Sequence, residues 1–131
     1  MTAKEYLQQY RASMARTNST EQHLHELKAE AIRLKDHEGQ SVALDEAVAQ
    51  YVDACNDAAA YLDMLGNMRR EIANTIDAVQ NKKLQQLLRE VYINGKNLVR
   101  VAADREQSYE HICRLHGNAL NAVRALRPDL E

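Results

Sequence analysis

From Leu44 to Val79, apolar and small residues recur in alternating steps of four and three: Leu44, Val48, Tyr51, Cys55, Ala58, Leu62, Leu65, then Ile72, Ile76 and Val79. Only Arg69 breaks the class. That alternation, held over about five heptads, predicts one long helix with a coiled-coil seam. Ser41 stands where an N-cap belongs, just before the pattern opens. At 1.5 Å per residue, a helix over 42–79 would be roughly 55 Å long. A lone arginine is costly to bury. Arg69 is therefore expected either to carry its head to water or to pair with an acid on a neighbouring helix. Tyr61, Met64 and Met68 form an apolar patch beside the seam, which calls for a third neighbour.

The same register runs backwards through Leu34, Ala31, Leu27, Leu24, Thr20, Thr17, Ser13, Tyr10 and Tyr6. Its polar middle, "MARTNST", predicts a kink or break, with a firm helix over 21–36. "DHEGQS" separates the two patterns, and Gly39 suits a helix C-cap or tight loop. A short loop favours antiparallel neighbours. Residues 1–80 therefore predict a long antiparallel coiled-coil hairpin.

"VQNKK" at 79–83 is polar and resets the period. Three shorter helices are expected after it, in "LQQLLREVYING", "NLVRVAAD" and "SYEHICRLHGNALNAVRAL". Asn94-Gly95 ends the first, Asn97 caps the second and Ser108 the third, with Glu110 in the first turn where the helix dipole favours it. The expected fold is all-α: a hairpin over 1–80 and a small three-helix helix-turn-helix domain over 81–131. On a wheel, Ile112, Leu115, Ala119, Val123 and Leu126 share one side of the last helix. Glu110, Arg114, Gly117, Asn121 and Arg124 share the other, flanked by Cys113 and Asn118. The helix is thus expected to run on through Gly117, although glycine inside a helix costs about 1 kcal/mol relative to alanine. Because Gly117 faces outward, the bare backbone would admit something from outside.

Composition agrees with helices. The 131 residues include one Pro, four Gly, six Tyr and no Trp or Phe, so the core must be largely aliphatic. The N-terminus lacks the apolar segment of a signal peptide, and no apolar run is long enough to span a bilayer. Two cysteines, Cys55 and Cys113, make no disulfide framework, so a cytoplasmic protein with free thiols is expected. Charge is uneven. Residues 1–81 carry 8 Lys/Arg against 13 Asp/Glu, a net of −5, and residues 82–131 carry 9 against 6, a net of +3. A basic C-terminal part points modestly to nucleic acid.

No catalytic set stands out, and neither an enzyme nor any cofactor or metal is expected. His23 and His25 are two apart, on different helix faces. His37 lies in the expected loop, and His116 at the edge of an apolar face reads as a packed, hydrogen-bonded side chain. Cys55 acts as a small apolar seam residue. No Cys-x-x-Cys, His-Glu-x-x-His or glycine-rich phosphate loop is present.

Two short helices around a tight turn, the second longer and basic, have the pattern of a helix-turn-helix. "YINGKNLVRVAADREQSYEHICRLHGNALNAVRAL" resembles the C-terminal part of a family of small phage and prophage proteins. Their tail is similar to sigma-70 region 4, and they include relatives of phage late-gene transcription activators. The matching residues are Tyr92, Ile93, Gly95, Val101, Ala102, Ser108, Arg114, Leu115, His116, Gly117, Ala119 and Leu120. "KEYLQQY" and the hairpin also fit the family's layout, so the resemblance covers most of the chain, with the last forty or so residues specific. There are departures. The family has an apolar residue and then Gly in the turn, where this chain has Arg105 and Glu106, and Leu98 replaces an aromatic. A non-glycine residue in that left-handed position costs roughly 1 kcal/mol.

The resemblance implies a DNA-binding transcriptional regulator that reads duplex DNA with the helix over 108–126. It places base and phosphate contacts at Tyr109, Glu110, Cys113 and Arg114, with Lys96, Arg100, Asn118, Asn121 and Arg124 as additions and Gly117 beneath the approaching strand. The hairpin would then make a homo-oligomer, a dimer by preference, or engage RNA polymerase or another phage protein, with no membrane involved. The alternatives are an interaction or DNA-packaging module resembling a small terminase subunit, and a structural protein whose turn has lost DNA binding.

Overall fold

The computed structural model describes residues 1–36 and 41–131, and among them the chain is all-helical. The helices are α1 (Ala3–Met14), α2 (Thr17–Lys35), α3 (Ser41–Asp77), α4 (Lys82–Leu88), α5 (Leu98–Asp104) and α6 (Tyr109–Leu126). A π-helical turn, Arg89–Ile93, continues α4. The expected break in "MARTNST" falls between α1 and α2. The expected loop at Gly39, with His37 in it, and the capping side chain of Ser41 lie outside the described residues. Among the described residues, no helix is long and apolar enough to cross a membrane.

The chain forms two compact units, Met14–Leu65 and Met1–Ser13 with Gly66–Glu131. The first unit holds 4 Lys/Arg against 10 Asp/Glu, a net of −6; the second holds 13 against 9, a net of +4. The charge asymmetry is sharper between these two units than across a cut between 81 and 82.

In the acidic unit, α2 buries its expected stripe only partly: Thr17, Thr20, Leu24, Leu27, Ala31 and Leu34 are half-covered. On α3 the covered stripe runs through Ala47, Tyr51, Ala54, Ala58, Tyr61 and Leu65. Thr20 and Leu24 of α2 share a cavity of about 450 Å³ with Ala54, Ala58 and Tyr61 of α3. The expected seam is corrected at Val48 and Leu62, which are 44% and 56% exposed, while its Tyr51, Ala58 and Leu65 lie on the covered stripe. Both stripes of α3 are apolar, so periodicity alone could not choose between them. The covered one carries more alanine, whose small side chains let another helix come close. Beyond Leu65 the stripe continues through Met68, Ile72 and Ile76, so Arg69 sits off it and is exposed rather than buried.

The basic unit has the core of the protein. Leu7, Ile72, Ile76, Leu87, Leu88, Tyr92, Val101, Ile112 and Val123 are fully buried there. Three short helices cannot enclose Tyr92, Ile112 and Val123 alone. The end of α3 and α1, through Ala3, Tyr6 and Leu7, complete the enclosure. The Tyr6 hydroxyl donates to the Glu71 carboxylate at 3.2 Å, and the Arg127 guanidinium stacks 4.7 Å above the Tyr6 ring.

Each element of this unit starts and stops for a local reason. Asn81 caps α4, accepting from the Lys83 and Leu84 amides at 3.0 and 3.3 Å. Asn97 caps α5 through the Arg100 amide at 2.8 Å, and Ser108 caps α6 through the His111 amide at 3.1 Å, both as expected. The π-helical turn closes with the Asn94 amide donating to the Arg89 carbonyl at 3.0 Å, and Gly95 follows at φ +75°.

Candidate nucleic-acid interface

Residues 105–108 join α5 to α6. The Glu106 amide donates to the Ala103 carbonyl at 3.2 Å and the Gln107 amide to the Ala102 carbonyl at 3.0 Å. This pair of bonds is a Schellman motif, which requires a left-handed residue just past the helix end. That residue is Glu106, at φ +54°, the only non-glycine among the described residues with positive φ. The backbone thus takes a left-handed conformation at a residue that is not glycine. Arg105 beside it makes an ion pair: its guanidinium donates to the Glu90 carboxylate at 3.1 Å, with both side chains mostly covered.

Helix α6 continues unbroken through Gly117. It buries Ile112, His116, Ala119, Leu120 and Val123, and exposes Glu110, Arg114, Gly117, Asn118 and Asn121. Leu126, expected on the covered side, is 43% exposed, because the last turn runs past the core. A Cβ built on Gly117 meets nothing within 4 Å, so no packing among the described residues demands this glycine.

The structure sorts the sequence-derived residues into free and committed groups. Arg114 stands exposed and makes no ion pair among the described residues. Asn118 and Glu110 are exposed beside it. Asn121 and Arg124 are tied together, with the Arg124 guanidinium donating to Asn121 Oδ1 at 2.6 Å and to the Glu131 carbonyl at 3.0 Å. Lys96 donates to the Asp104 carboxylate at 3.1 Å, and Arg100 stands 3.8 Å from the same carboxylate. Cys113 is half-covered, and a hydrogen bond with its thiol raises the Tyr109 hydroxyl above its ordinary pKa. Tyr109 is 53% exposed at the start of α6.

Beside this face lies a cleft of about 340 Å³ that no carboxylate lines. Lys4, Gln8 and Arg11 of α1 line it together with Asn97 and Tyr109. Neither Lys4 nor Arg11 is ion-paired among the described residues. Sequence reasoning missed these three residues, which lie about a hundred positions from the start of α6. Their signal was present as steps of four and three along a stripe of α1 about 100° around from Ala3 and Leu7.

Tyr92 and His116 close the cleft floor. Their rings stack at 5.8 Å, and the Tyr92 hydroxyl and His116 Nε2 share a hydrogen bond of 2.6 Å. Burial holds the His116 imidazole below its ordinary pKa, and the charge of Lys4 pushes the same way. Burial also raises the Tyr92 hydroxyl to about 12, with Arg11 opposing in part. Both groups are neutral at pH 7, so the free charge at the cleft comes from Lys4 and Arg11. The cleft can attract an anion, and the exposed face of α6 can offer hydrogen bonds to one. No protein-family model, curated protein or solved structure matches the chain.

Proposed function

We propose that the chain is a duplex-DNA-binding regulator of the phage type, in which α5, the turn and α6 form a sigma-70 region 4-like helix-turn-helix. The observation that carries this reading is the division of α6. One face is buried in the core; the other is polar, holds an uncommitted arginine and a glycine that no internal packing requires, and adjoins a cleft with two unpaired cations among the described residues. Arg114 would donate to guanine O6 and N7 or to a phosphate, and Glu110 would accept from cytosine N4. Lys4 and Arg11 would hold backbone phosphate, which positions without reading sequence. The acidic unit, with a net charge of −6, is a poor DNA ligand. It serves instead as an antiparallel helical hairpin that dimerises or engages a protein partner such as RNA polymerase.

The second reading, an interaction or packaging module without sequence preference, draws support from Lys96, Arg100 and Arg124. All three are committed within the chain, which leaves fewer free cations on this face. Selection from a random duplex library at low salt separates the two. A regulator retains a preferred sequence. Arg114→Ala then weakens binding by roughly 5–150-fold if it reads a base, corresponding to about 1–3 kcal/mol. Lys4→Ala and Arg11→Ala each weaken all sequences alike and reduce the salt slope by about 1. Binding without preference favours the packaging module, and absence of any duplex binding refutes the regulator.

A further inference from the structure

The corrected stripe on α3 leaves a second one uncovered. Val48, Val52, Cys55, Ala59, Leu62 and Gly66 recur in steps of four and three, about 100° around the helix from the covered stripe. Val48, Val52 and Leu62 are 44%, 48% and 56% exposed, Ala59 and Gly66 are exposed as well, and Cys55 is half-covered. A Cβ built on Gly66 meets nothing within 4 Å, so nothing among the described residues calls for a glycine inside this long helix. We propose that this stripe is a homodimer seam, in which α3 packs antiparallel against α3 of a second copy about a two-fold axis level with Asp57.

The register follows from the sequence of the stripe. An axis at Asp57 sets Val48 against the partner's Gly66, Val52 against the partner's Leu62, and Cys55 against the partner's Ala59, each pair occurring twice. Large residues meet small ones at the ends of the seam, as interdigitating layers require. Charge selects the direction. At both ends Asp45 meets the partner's Arg69, giving Arg69 the acidic neighbour it lacks among the described residues. Along one flank Asn56 meets the partner's Asn56, and Asp63 meets the partner's Ala49. A parallel pair in register would instead stack Asp45 on Asp45 and Arg69 on Arg69, both repulsive. A two-fold contact is self-complementary, and an antiparallel stripe that maps onto itself meets that condition.

The inference rests on α3 belonging to an interaction arm and is independent of duplex binding, so it is tested without DNA. Light scattering and sedimentation of the full chain are expected to give a dimer. Leu62→Lys, at an exposed position, is expected to keep the circular dichroism of the parent and to raise the dimer Kd by more than about tenfold. With Cys113→Ser as background, Ala59→Cys sets the introduced thiol against the partner's Cys55, and mild oxidation is expected to cross-link the dimer. Cys55 alone should not cross-link, because the two copies of it lie apart along the axis. A monomer at every concentration overturns the proposal and assigns the stripe to a different protein. A dimer that survives Leu62→Lys overturns this seam while leaving the arm's role intact. Efficient cross-linking through Cys55 alone overturns the antiparallel register.

Discussion

Replacing Glu106 with glycine should stabilise the basic unit. Glu106 is held at φ +54° by the two amide bonds that close α5, and neither bond uses its side chain. An L-residue in the left-handed region costs roughly 1–2 kcal/mol. Glycine avoids that strain but loses more freedom on folding, roughly 0.5–1 kcal/mol. The expected net gain is about 0.5–1 kcal/mol, and each kcal/mol raises the melting temperature of a unit this size by about 4–8 °C. The carboxylate is a separate matter, since it precedes the N-terminus of α6 and a negative charge there can stabilise by about 0.3–1 kcal/mol. Glu106→Ala isolates that contribution, because alanine keeps the strain and loses the charge. Urea denaturation followed by circular dichroism, at one protein concentration, gives the comparison through the midpoint at unchanged slope. Glu106→Gly should exceed Glu106→Ala in stability. Equal midpoints would refute the argument, since the left-handed backbone would then carry no strain to relieve.

Two further outcomes concern α6. His116 is less basic in the folded protein than the ordinary value of 6.5, so the unfolded chain takes up a proton first as pH falls. Its contribution is whole above about pH 6.5 and is lost as pH drops toward the lower folded value, with a slope of at most about 1.4 kcal/mol per pH unit. His116→Gln, which cannot titrate but can still pair with Tyr92, should flatten the melting temperature between about pH 7 and 5.5; an unchanged slope would place the titration elsewhere. Gly117→Ala should stabilise α6 by about 1 kcal/mol, since the added methyl meets open space. The same substitution should weaken duplex binding if a strand approaches that backbone, and equal affinity would dismiss close approach as the reason for the glycine.

Much of the local structure was legible from the chain itself. Asn97 and Ser108 cap the helices they precede, because a side-chain oxygen one residue before a helix serves that helix wherever it packs. The left-handed position at Glu106 was reached only through the resemblance, because neither Arg105 nor Glu106 by itself signals a positive φ. The continuity of α6 through Gly117 followed from the apolar period on both sides of it. Of the candidate interface, the exposed face of α6 was visible on a wheel, which depends only on the 3.6-residue repeat.

Tertiary structure decided what local rules leave open. Two apolar stripes on α3 satisfy the same heptad spacing, and only packing against a real neighbour chose the alanine-rich one. That choice exposed Val48 and Leu62 and took Arg69 off the covered face. Likewise no period links Lys4 and Arg11 to His116. They meet because the short C-terminal helices leave Tyr92 and Ile112 uncovered until α1 closes over them. Caps and periods act within a few residues and can be read along the chain. Which apolar face is buried, and which distant cations share a cleft, depend on the surfaces available in three dimensions.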